Sequence, residues 1–144
     1  MKNLNSYRTR IGGSTENGIW LFFKKAIENK EHWDNIFIYS DMQAGHGGLY
    51  GLNSNEYREY AVGSRSWSCR DYIDVMKLLT KYRSTVNSKV NMFSVQTAGY
   101  TNVVIPEYAY RSNVMYGWTG KEVIFADAMI NFWNQKESAK LPRQ

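Results

Sequence analysis

The stretch "IYSDMQAGHGG", residues 38–48, carries a single carboxylate, Asp41, out of an apolar run and into a glycine-rich segment that also holds His46. A carboxylate so placed suits a hard divalent cation bound through oxygen, or a general base; its plainer use is to cap the turn that ends a strand. "GGSTENG", residues 12–18, offers backbone N–H groups to an anion and the Ser14 and Thr15 hydroxyls to a metal, or an ordinary helix N-cap. It is not a P-loop, because no Gly-Lys-Ser/Thr follows. His46 has no histidine or glutamate at ligand spacing and reads as a loop residue, and Cys69, beside Arg70, has no histidine partner by motif and reads as a buried or incidental thiol. Glu56 and Glu59 form a carboxylate pair only if their segment is helical. Residues 98–123 interleave Tyr100, Tyr108, Tyr110, Tyr116 and Trp118 with Arg111 and Lys121, a mixture that suits stacking on single-stranded RNA, a protein contact, or core packing. No nucleophile–base pair and no complete metal set can be written from these residues, so they point away from an enzyme.

The elements that must position these groups follow from the hydrophobic pattern. Ile19, Phe23, Ala26 and Ile27 recur at helical spacing and predict a first helix over about 16–30, capped by Ser14 or Thr15. "NIFIYS", 35–40, is a continuous β-rich run, the pattern of a strand covered on both faces, which places Asp41 at its C-terminal end. Residues 44–66 show no clear period and predict a long loop or partial helix. In "SWSCRDYIDVMKLLTKY" a capping box of Ser68 and Asp71 opens a second helix, with Tyr72, Val75, Met76, Leu79 and Tyr82 along one face. Strands are expected at 89–96, 101–106 and 113–118, and a second capping box, "TGKE" at 119–122, opens a third helix with Val123, Ala126, Ile130 and Trp133 inward. Helices alternating with strands imply a mostly parallel sheet, with ligands gathered at the strands' C-terminal ends, where Asp41, Thr97 and Trp118 would lie.

With 144 residues, 43% of them hydrophobic, the chain can bury one core, so a single domain is expected over 1–144. The net charge of +5 permits a polyanionic partner, but the cations are scattered among acids, as in Lys24, Lys25, Glu28 and Glu31, and read mostly as a solvated surface. The lone cysteine excludes an internal disulfide and suits a reducing compartment. No apolar run approaches membrane-spanning length and the N-terminus lacks a signal-peptide core, so the expected location is cytoplasmic, or a virion interior, without membrane contact.

Four segments, "RIGGSTENGIW", "IFIYSDMQAG", "VNMFSVQTAGY" and "VMYGWTGKEVIFADAM", resemble in order and character the C-terminal half of the von Willebrand factor A-type domain of Ro/TROVE ribonucleoproteins, over a core of about residues 10–134. That resemblance implies a Rossmann-like three-layer sandwich, here truncated, and a metal-ion-dependent adhesion site built from three loops. Thr15 resembles its second-loop threonine, with Ser14 a substitute one residue away, and Asp41 its third-loop aspartate. The Asp-x-Ser-x-Ser of the first loop occurs nowhere in the chain, nor does the helical-repeat region with which the family encircles RNA. The resemblance therefore implies a non-enzymatic protein-interaction module without a small-molecule substrate. Mg²⁺ binds only if another chain or segment completes the site. The resemblance further implies either that the missing strands come from another polypeptide or from a separated upstream coding segment, or that the open sheet edge is covered by a partner or by self-association. The alternatives are an RNA-binding accessory of a Ro-like particle, or a structural protein of a virion. For either, Tyr100, Arg111, Trp118 and Lys121 are the candidate contacts.

Overall fold

Asn91–Gln96 is a run of six residues that are all buried, and a strand buried on both faces must lie between helices. In the computed structural model, which describes residues 15–41, 58–62, 72–98, 105–106, 108–117 and 119–140, this strand is the centre of the sheet. The described elements are α1 (Thr15–Glu28), β1 (Asn35–Ser40), a 3₁₀ turn (Arg58–Tyr60), β2 (Ala61–Val62), β3 (Tyr72–Ile73), α2 (Val75–Thr85), β4 (Asn91–Gln96), β5 (Ser112–Tyr116) and α3 (Glu122–Ala139). The main sheet has the order β1-β4-β5 and is parallel throughout, with Phe37 beside Phe93 and Val95 beside Met115. β2 and β3 form a separate antiparallel pair.

Because side chains alternate across a strand, the sheet divides its apolar residues between two layers. Ile36, Ile38 and Met92 pack with Ile19, Trp20 and Phe23 of α1 and with Leu78, Leu79 and Tyr82 of α2. On the other face Phe93, Val95 and Met115 pack against Ala126, Met129, Ile130 and Trp133 of α3. Phe93 is stacked between Phe37, 5.0 Å away, and Trp133, 5.6 Å away. The chain is thus an α/β fold, in which the described residues form a three-stranded parallel sheet flanked by helices.

Local chemistry sets the element ends. α1 stops in a Schellman-type closure: Glu31 N–H reaches Ala26 C=O at 2.9 Å and Lys30 N–H reaches Ile27 C=O at 3.3 Å, with Lys30 left-handed at φ 52°. α2 begins at Val75, later than its capping-box pattern predicts, because Tyr72–Ile73 pairs with Ala61–Val62 and Asp74 supplies the cap, accepting from Lys77 N–H at 3.2 Å. Ser68 and Asp71 lie outside the described residues. At α3 the predicted box is present in one direction: the Glu122 carboxylate accepts from Thr119 N–H at 2.7 Å and Gly120 N–H at 3.2 Å. These backbone donors, with Glu122's own N–H foremost, hold its carboxyl below the usual carboxylate range. Val123, expected inward, faces out, because Glu122 and Ala126 take the buried side of that turn. Of the strand expected at 101–106 only Ile105 and Pro106 are described, and neither is in a strand.

Candidate functional site

The C-terminal end of the sheet is where the sequence placed its chemistry. Ser40 and Gln96 close β1 and β4 and are both buried, and the next residues hold the two strands together: Thr97 N–H donates to Ser40 C=O at 2.9 Å, and Gly117 N–H to Gln96 C=O at 3.0 Å. The Gln96 side-chain oxygen accepts from Ala98 N–H at 3.1 Å. Asp41 stands half-buried immediately after β1. Thr15 opens α1, whose first turns share a groove with Ile38 and Tyr39, so the backbone brings Thr15 to the same end of the molecule as Asp41. Ser14 lies outside the described residues, as do Tyr100, Trp118, His46, Cys69 and Glu56.

A Mg²⁺ ion takes about six oxygen ligands in near-octahedral geometry. Among the described residues Asp41 follows β1 and Glu122 lies beyond β5, where its carboxylate is taken by the Thr119 and Gly120 N–H groups, and no group of three His, Cys, Asp or Glu side chains could hold a metal ion. The described residues do not fit the ion unaided.

Arg111 and Lys121, both expected as outward contacts, differ in kind. Lys121 is exposed at the start of α3. Arg111 is buried, at a left-handed φ of 45°, and its guanidinium is spent inside the protein. Its Nε and Nη2 take the two oxygens of Glu137 at 3.0 and 2.9 Å, Nη2 also donates to Asn134 Oδ1 at 2.6 Å, and Nη1 donates to Asn91 Oδ1 at 2.9 Å. The Tyr110 hydroxyl donates to the same carboxylate. Fork-on-fork pairing with Arg111, helped by Tyr110, pulls the Glu137 carboxyl down to about 2. Arg83 stacks its guanidinium 5.4 Å from the Tyr110 ring centre and donates to Val90 C=O at 2.9 Å. Burial lowers the Arg83 pKa. This cluster clamps the start of β5 to the last turns of α3. Sequence patterning missed it, since nothing local to Arg111 announces a partner in Glu137.

A second feature emerges at the outer edge of β1. Asn91 N–H donates to Asp34 C=O and Thr97 N–H to Ser40 C=O, so the even-numbered residues of β1 turn their backbone groups toward β4. By the same alternation Asn35 and Phe37 point their N–H and C=O groups away from it. Among the described residues no strand lies against that side. Beside it runs a groove of about 510 Å³ between β1 and α1, lined by Gly18, Ile19, Phe22, Trp33, Phe37 and Tyr39. Trp33 is fixed there by Tyr82, whose hydroxyl accepts from Trp33 N–H and donates to Glu31 C=O, both at 2.8 Å. Burial raises the Tyr82 pKa. The edge carries no charged side chain, proline or bulge, the devices that usually keep an edge strand from pairing. Such an arrangement can accept an extended chain, its backbone on the strand and its alternate side chains in the groove.

Compared with known proteins, the chain matches no family model, and no curated protein or solved structure is significantly similar to it.

Proposed function

We propose that the protein is a non-enzymatic interaction module of von Willebrand factor A-like type, as in Ro/TROVE proteins, whose β1 edge accepts a strand from another polypeptide. The outward-facing backbone of Asn35 and Phe37, next to an apolar groove, is the observation that carries this reading. The parallel order β1-β4-β5 with helices on both faces, and Asp41 at the C-terminal end of β1, agree with it. In this reading Thr15 and Asp41 are two corners of an adhesion site that binds Mg²⁺ only when other residues supply the remaining oxygens. The RNA-binding alternative draws less support, because Arg111 is engaged with Glu137.

Photo-crosslinking tests the proposal. With benzoylphenylalanine at position 33, crosslinks are expected to a contiguous extended segment of a second polypeptide. Crosslinks that stay within the chain's own residues contradict it.

A further inference from the structure

α3 is apolar on two sides, and among the described residues only one of them packs against the sheet. Ala126, Met129, Ile130 and Trp133 face the sheet, whereas Ile124 is 72% exposed, Val123 69%, and Phe125 and Phe132 47% each. A helix apolar around most of its circumference is one that becomes buried in an assembly. On the outward side the steps of four, three, four and four from Lys121 through Phe125, Ala128 and Phe132 to Lys136 follow one line, with Ile124 beside it. The stripe is an apolar strip with a lysine at each end. The Lys136 ammonium lies 4.6 Å from the Phe132 ring centre, covering part of that ring. At the other end the strip continues into a groove of about 420 Å³ between α3 and β5, lined by Val114, Met115, Tyr116 and Phe125.

We propose that this stripe docks an amphipathic helix of a partner polypeptide that carries acidic residues at both ends of its apolar face. Charge decides among the occupants. A second copy packed antiparallel would set Lys121 against Lys136 of its mate, and packed parallel would set each lysine against itself. Asp127 lies on the far flank of α3 and cannot offset either repulsion. Single-stranded RNA would find two cations and two phenyl rings, but Ile124 and Ala128 offer its bases neither stacking nor hydrogen bonds. An acidic amphipathic helix meets every feature: apolar side chains at i, i+3 and i+7 on Phe125, Ala128 and Phe132, one large side chain in the β5 groove, and carboxylates on the two lysines.

The test uses two fluorescein-labelled helical peptides of about 15 residues, both with leucines at i, i+3 and i+7, one flanked by glutamates and the other by lysines. Fluorescence anisotropy should show the glutamate peptide binding about tenfold or more tightly than the lysine peptide at low salt. Phe132→Ser should abolish binding with an unchanged circular dichroism spectrum, and the double variant Lys121→Glu, Lys136→Glu should reverse the preference toward the lysine peptide. Absence of binding, equal binding of both peptides, or an unreversed preference overturns the proposal. So does self-association in sedimentation that Phe132→Ser removes, or displacement of the glutamate peptide by single-stranded oligo(U).

Discussion

Among the described residues, Arg111 and Glu137 form the most consequential pair. The Glu137 carboxyl titrates near 2 in the folded protein, against about 4.3 in an unfolded chain. A depressed pKa means that the unfolded state takes up the proton first, so the pair stabilises the fold above about pH 4 to 5 and that contribution is lost as the pH falls toward 2. Glu137→Gln should therefore flatten the acid limb of stability, with thermal midpoints of variant and parent converging below about pH 3; urea or thermal melts from pH 2 to 7 would show it. A different residue offers the opposite sign. Ser94 sits at the centre of β4, buried on the α1 and α2 side, and its hydroxyl has no hydrogen-bond partner among the described residues. Ser94→Ala should raise stability by about 1 kcal/mol, since it removes a buried polar atom that lost water without compensation. A fall in the urea midpoint would contradict this.

The described helices and main-sheet strands are largely legible in the sequence, and the exceptions have physical causes. β1 was evident from "NIFIYS" and α1 from its repeat of Ile19, Phe23 and Ala26, because burial of one face leaves a period in the sequence. The start of α2 was not, because the local capping signal at Ser68 competes with a pairing of Tyr72–Ile73 to β2 that no local window contains. The outward facing of Val123 escaped for the same reason: an all-apolar turn has no polar side to reveal its orientation. The Arg111 cluster depends on a contact across 26 positions, and the apolar groove on an edge whose neighbour is set by topology. Two caps carry predictions. Asp74→Ala should cost about 1 kcal/mol by leaving the Lys77 N–H without its acceptor. Lys30→Gly should add about 0.5 kcal/mol, since glycine takes the left-handed closing position of α1 without Cβ strain. Denaturant titration resolves both.

Two packed layers on one short parallel sheet make the molecule's stability depend on β4. Phe93, fully buried and stacked on Phe37 and Trp133, ties β1 to α3 through the central strand, and Phe93→Ala should cost about 3 to 5 kcal/mol in chemical denaturation. Among the described residues, the same layering leaves the β1 edge without a neighbouring strand on one side of the sheet and the α3 stripe exposed on the other. The central claim concerns the first of these. It is tested most directly by residue-resolved amide hydrogen exchange in the monomeric protein. The Phe93 amide, directed into the sheet, should be strongly protected. The Phe37 amide, directed outward from β1, should exchange orders of magnitude faster. Protection of Phe37 equal to that of Phe93 in a monodisperse monomer would mean that the chain already covers its own edge, and would contradict the account.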